Sequence, residues 1–196
     1  MRKVVALAFV TLDGFTTGPN GETDWQLHNF NEEIGEYIFE SYEDTDLLLL
    51  GRYTYQQFAA YWHHQYNKNP EAARMNNTHK IVFSTTLTEA TWHNTRLISS
   101  NIVQEVNALK RQRGKNIAIV ASAGLIQSFT NLGLIDEYRL LIYPVILSNG
   151  RRLLSNIQQT QQLEFIRSRI FSNGVMLAIY QPVREACIFT MLSAAL

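Results

Sequence analysis

Only one cysteine, Cys187, occurs in the 196 residues, which excludes an internal disulfide. No apolar run approaches the roughly 20 residues needed to cross a bilayer. The amino terminus passes straight into an apolar strand, Lys3 to Val10, without the charged lead and small-residue cleavage site of a signal peptide. Neither sign of charge is in excess: Lys plus Arg equal Asp plus Glu at 17 each, and no window is strongly basic. Nucleic acid is therefore not expected as a partner, because a phosphate backbone demands a clustered positive face. Metal-ligand spacing is missing too. His63 and His64 are adjacent, with no His-x-x-x-His pattern and no cysteine nearby, so no metal site is expected. Repeats and low-complexity linkers are also absent. What remains is a protein expected to be cytoplasmic, 46% hydrophobic and long enough for one domain with a sizeable core.

The most informative stretch runs from Asp46 to Phe58. Four consecutive leucines, Leu47 to Leu50, closed by Gly51, have the composition of a strand buried on both faces, as a parallel sheet requires. After Gly51 the period changes. Tyr55, Phe58, Ala59 and Trp62 fall at offsets of three, four and seven and line one face of a helix. A buried strand, a tight glycine turn and a helix N-terminus aim backbone N–H groups and the positive end of the helix dipole at an anion. Arg52 and Thr54 stand at that junction, so nucleotide phosphates are the candidate ligand. The alternative is an ordinary strand-to-helix turn whose arginine faces solvent. A second junction of the same kind spans Asn116 to Phe129. It has small residues at Ala121, Ala123 and Gly124 and a hydroxyl at Ser122, and its helix, Leu125 to Leu132, ends at Gly133 as a left-handed cap. Two such junctions in one domain strengthen the nucleotide reading.

The first strand leads through Thr11-Leu12-Asp13-Gly14-Phe15 into a loop from Thr16 to Trp25, marked by the turn pairs Gly18-Pro19 and Asn20-Gly21. Loops leaving the carboxyl ends of buried strands carry ligand contacts in α/β proteins. Asp13 and Trp25 are therefore candidates, against a turn carboxylate and a core aromatic as the alternatives. Helices are expected over Asn31 to Tyr42, Pro70 to Asn77 and Ile102 to Arg111, the last burying Val103, Val106, Leu109 and the stem of Lys110. Glu32 and Glu33 fit surface charges that complement a helix dipole. Lys80 to Phe83 is a third buried strand, ending in the hydroxyl run Ser84-Thr85-Thr86, and Arg96 to Ile98 is a short edge strand. Then come a long strand, Glu137 to Leu147, with a bulge or edge at Pro144, and a hairpin of Gln162 to Ile170 and Val175 to Gln181 about Ser172-Asn173-Gly174. Residues 183–196, with Cys187, Ile188 and Phe189, form a C-terminal tail, read either as one amphipathic turn or as a disordered extension.

Several of these features coincide in order: Thr11-Leu12-Asp13-Gly14-Phe15, Asp24-Trp25, Leu50-Gly51-Arg52-Tyr53-Thr54-Tyr55, Lys80-Ile81-Val82-Phe83-Ser84, Gly133-Leu134-Ile135-Asp136-Glu137 and Pro144-Val145-Ile146-Leu147. Together they resemble the dihydrofolate-reductase-like family typified by the C-terminal reductase domain of the bacterial riboflavin-biosynthesis deaminase/reductase, over roughly residues 2 to 182. The resemblance implies one α/β domain, residues 1–182, of three-layer α/β/α form with a mixed, mostly parallel sheet and a C-terminal antiparallel hairpin. It implies an NADPH site in which Gly51, Arg52 and Thr54 hold phosphates, Ser84 and Thr85 lie near the adenosine 2′-phosphate, and Ala121, Ser122, Ala123, Gly124 and Leu125 lie under the pyrophosphate and nicotinamide ribose. Asp13, Trp25 and Tyr53 would face the substrate, with Asp13 the catalytic candidate. The reaction implied is hydride transfer to a pterin-like or pyrimidine-like ring, in a homodimer. Two departures stand out. Thr85 follows Ser84 where relatives often carry arginine, which admits NADH as an alternative cofactor. Ala121-Ser122-Ala123-Gly124 occupies a turn where relatives carry a glycine pair. A nucleotide-binding module without turnover, or a dimeric interaction protein on the same fold, are the competing readings.

Overall fold

The computed structural model describes residues 1–65 and 70–183. The tail expectation from residue 184 onward, Cys187 included, and residues 66–69 of the polar connection lie outside the described residues. One eight-stranded sheet organises the chain, in the order β5-β4-β3-β6-β1-β7-β10-β9. Its strands are β1 (Val4–Thr11), β3 (Thr45–Gly51), β4 (His79–Phe83), β5 (Thr95–Ile98), β6 (Asn116–Val120), β7 (Glu137–Tyr143), β9 (Leu163–Ile170) and β10 (Met176–Pro182). The six strands from β5 to β7 pair in parallel, and β10 and β9 then add antiparallel, closing the mixed sheet as expected. A two-stranded ribbon, β2 (Phe15–Thr17) with β8 (Arg151–Arg152), stands apart from it.

The leucine run works as its composition implies. Leu47 and Leu49 enter the core on one face of the sheet, and Leu48 and Leu50 enter the core on the other. Each fully buried leucine contributes roughly 1.5–3 kcal/mol relative to exposure, so β3 fixes the centre of the molecule. On the first face lie α5 (Ile102–Arg111) and α6 (Ala123–Asn131), which bury Val106, Leu109, Ile126 and Phe129. On the second face lie α1 (Asp24–His28), α2 (Glu32–Glu43), α3 (Arg52–His63) and α4 (Pro70–Asn77), which bury Trp25, Ile34, Tyr37, Tyr55 and Met75. The result is three layers. Asn31 caps α2 by accepting from the Ile34 N–H at 3.0 Å, and Gly133, at φ +63°, forms the left-handed cap after α6.

Four details depart from the sequence expectations. The long strand stops at Tyr143, because Pro144 has no N–H to continue the ladder. Val103 is 38% exposed, so α5 turns a narrower face inward than its apolar residues suggest. The loop Thr16 to Trp25 holds the end of β2 and the start of α1. Helix α6 begins at Ala123, two residues before the expected start. The ribbon needs glycine at 150: φ is +132°, and a Cβ there would collide with the Thr17 carbonyl.

Candidate functional site

The carboxyl ends of β3, β4 and β6 open into a cavity of about 480 Å³. Both junctions found in the sequence meet in it. Gly51 is the N-cap of α3 and Ser122 the N-cap of α6, and the Gly51 N–H donates to the Ser122 hydroxyl at 3.1 Å. The first turns of both helices, Arg52 to Thr54 and Ala123 to Leu125, line the same space. Their free N–H groups and dipoles therefore converge on one ligand.

Arg52 donates from Nη1 to the Thr86 hydroxyl at 2.8 Å and lies 4.7 Å from the Tyr53 ring centroid. Thr86 is held in turn, because its N–H and that of Leu87 donate to the Ser84 hydroxyl. Thus Arg52 and the Ser84–Thr86 turn form one end of the cavity. At the other end Arg151, on β8, sits so close to α6 that a Cβ on Gly124 would meet its Nη2 at 2.6 Å. The cavity wall carries these two guanidiniums and no carboxylate. Among the described residues neither has an ionic partner.

Ala121 joins β6 to α6 with φ +53°, a left-handed conformation that costs an L-residue roughly 1–2 kcal/mol. The backbone has kept the shape a glycine would favour. Ala121→Gly is expected to raise the free energy of unfolding by about 0.5–1 kcal/mol, less than the full strain because glycine has more unfolded freedom to lose. Urea denaturation checks this, and a lowered midpoint would contradict it.

A smaller chamber of about 170 Å³ adjoins the cavity and shares Thr16, Thr17, Thr54, Gln57, Ala121 and Ala123 with it. Ala8 and Phe9 of β1, Gln26 of α1, Phe58 of α3 and Leu153 complete most of its wall.

Of the residues singled out in the sequence, Gly51, Arg52, Tyr53, Thr54, Ser84, Thr85 and Ala121 to Leu125 all line the larger cavity. Asp13 and Trp25 line neither space. The Asp13 carboxylate accepts from the Thr11 hydroxyl at 2.6 Å and from the N–H groups of Ser148 and Leu147 at 2.8 and 3.2 Å. Those bonds, the Thr11 hydroxyl first, hold its pKa below the usual carboxylate range. It ties the end of β1 to the loop after β7. Trp25 is 6% exposed and packs edge-on against Tyr143 at 5.1 Å, behind the chamber wall. Glu33 accepts from the Ser172 N–H at 2.8 Å, at the hairpin turn. Thr86, the last of the hydroxyl run after β4, lines the cavity as well, whereas Arg151, Gln26 and Gln57 were not legible as site residues.

A larger depression of about 640 Å³ lies at the opposite end of the strands. Of its charged side chains, Arg2 pairs with Asp46, Arg96 with Glu105, and Lys80 donates to the carbonyls of Met75, Asn76 and Thr78. Among the described residues no group of three or more His, Cys, Asp or Glu is placed to hold a metal, and no helix is long and apolar enough to cross a membrane.

The mixed sheet with its terminal hairpin and paired junctions is the dihydrofolate-reductase-like architecture. Dihydrofolate reductase of Enterococcus faecalis, solved with NADP(H), superposes with a TM-score of 0.61 at 14% identity, covering 93% of this chain and 97% of that one. Within that class the chain belongs to the RibD C-terminal domain family, whose model matches residues 2–177. YyaP, an uncharacterized protein of Bacillus subtilis strain 168, is 36% identical over 184 residues, covering 91% of this chain and 94% of its own. A protein assigned to riboflavin biosynthesis in Shewanella sp. PV-4 has the same fold, with a TM-score of 0.77 at 22% identity over 93% of this chain and 99% of that one.

Proposed function

We propose that the protein is a reductase that uses NADPH, or NADH, to transfer a hydride to a small pterin-like or pyrimidine-like ring. One observation carries this reading: two helix N-termini and two guanidiniums face a single cavity, and among the described residues these guanidiniums have no ionic partner and the wall no carboxylate. Such a surface favours a polyanion of dinucleotide size. Arg52 and the Ser84–Thr86 turn would hold the 2′-phosphate end, and Arg151 with the N-terminus of α6 would hold the pyrophosphate. The nicotinamide ring would then lie where Ala121 and Thr54 border both spaces. Bound there, the cofactor would supply the hydride, and the proton that completes reduction of a C=N or C=O bond would come from solvent. Asp13 in this arrangement shapes the loop rather than touching the reacting atoms.

Titration of the purified protein with NADPH and with NADH, followed by nicotinamide fluorescence, tests the reading. Micromolar binding of NADPH is expected, with NADH weaker. Absence of binding by both would overturn it.

A further inference from the structure

The inner chamber differs in chemistry from the cavity it opens into. Neither guanidinium reaches it, and among the described residues no ionisable side chain lines it. Its polar groups are neutral: the carboxamides of Gln26 and Gln57 and the hydroxyls of Thr16, Thr17, Thr23 and Thr54. Helix α3 sets out part of this array by periodicity. Thr54, Gln57 and Phe58 fall at offsets of three and four and so share a face, which meets the core-facing stripe at Phe58.

Of these groups only the Thr16 hydroxyl and the Gln26 carboxamide have hydrogen-bond partners among the described residues. Among the described residues the Gln57 carboxamide has no partner, and neither does the Thr54 hydroxyl, although Thr54 is only 8% exposed. The Gln26 carboxamide makes only a long bond, 3.5 Å, to the Thr16 carbonyl. A carboxamide offers both a donor and an acceptor in one plane, which matches the alternating edge of an amide-containing ring. Phe9 and Phe58 supply apolar surface to the same wall. The volume, about 170 Å³, is close to that of a cavity of roughly 150 Å³ known to hold a benzene-sized ring. A sugar phosphate or a glutamate side chain would have to remain outside, where the cofactor would hold the cations.

We propose that the inner chamber takes an uncharged planar ring with an amide-like edge, read by Gln26, Gln57 and Thr54, and discriminates against the same ring carrying a phosphate or carboxylate. The proposal rests on the reductase reading for the identity of the neighbouring cavity. An anionic group brought into the chamber would lose its hydration and find no cation in exchange. A neutral ring loses less and finds its donors and acceptors matched.

The test uses two matched pairs of probes: 5,6-diaminouracil against its ribose-5-phosphate derivative, and 7,8-dihydropterin against dihydrofolate. Each is titrated calorimetrically into the full chain, with and without saturating NADPH. With NADPH occupying the guanidiniums of the neighbouring cavity, the neutral member of each pair is expected to bind at least about tenfold more tightly. Gln57→Leu, on an exposed side chain, is expected to weaken the neutral rings about tenfold, and Gln57→Arg to strengthen the charged ones. Equal or tighter binding of the charged members by the native protein with NADPH bound, or no binding of any ring, overturns the proposal. The cofactor titration is read separately, so failure of NADPH to bind removes the reductase reading and leaves ring selectivity still measured.

Discussion

Arg52→Ala and Arg151→Ala are each expected to weaken NADPH binding about 10- to 100-fold, and the double substitution about 10²- to 10⁴-fold. A charge-assisted hydrogen bond contributes roughly 1.5–3 kcal/mol, and each tenfold in affinity corresponds to about 1.4 kcal/mol. The two side chains stand at opposite ends of the cavity, on the N-terminus of α3 and beside Gly124 of α6, so their effects should add. Their signatures should differ. Arg52 bonds to Thr86 in the turn that also holds Ser84, so its loss should fall on NADPH much more than on NADH and narrow the preference between them. Arg151 lies by the other junction, against the shared pyrophosphate, and its loss should weaken both cofactors alike. Nicotinamide fluorescence titrations of the two variants with both cofactors check the pattern. An Arg52→Ala protein that binds NADPH as well as the native one would remove the main contact on which the functional reading depends.

How far such a site can be read from sequence depends on where its information lies along the chain. Gly51, Arg52 and Thr54 were legible because a strand run and a helical period meet at that point, each with its own signature within a few residues. The Ala121 junction was legible for the same reason. Arg151 was not: β8 is only two residues long and its partner β2 three, too short for any period to show. It reaches the cavity only because the ribbon folds Arg151 against Thr17. Gln26 and Gln57 were missed because polar residues on amphipathic helices ordinarily face water, and nothing local marks the face that borders a chamber. Gln57 lies two residues from Tyr55, off the apolar stripe that identified α3. Asp13 and Trp25 show the converse. Both lie in the stretch after β1 where the sequence places ligand contacts, yet the carboxylate is taken by Ser148 and Leu147 from a segment more than a hundred residues away, and the indole, in α1, by Tyr143. Pairings of that range have no trace in local pattern.

Lys110 carries the same lesson into stability, and Lys110→Met is expected to lower the free energy of unfolding by about 3–5 kcal/mol, the range for breaking one half of a buried ion pair. Its apolar stem was legible on the inner face of α5, but its ammonium has a partner that the helix pattern does not announce. Lys110 Nζ lies 2.6 Å from the Asp136 carboxylate, and the two side chains are 8% and 11% exposed. The same carboxylate oxygen accepts from the Val4 N–H at 2.8 Å, where β1 enters the sheet. Removing the ammonium takes a close cation from a mostly buried carboxylate at the point where β1 is tied to β7, and β1 is the strand that brings Ala8 and Phe9 to the inner chamber. Asp136→Asn keeps an acceptor for Val4 while removing the charge, so the double variant Lys110→Met/Asp136→Asn is expected to recover at least half of the loss. Urea unfolding of both variants measures this through the midpoint at constant slope. A single substitution without effect on the midpoint would mean that the ammonium contributes no more than its stem. A double variant no better than the single would mean that packing around Lys110, and not the lost charge pairing, sets the cost.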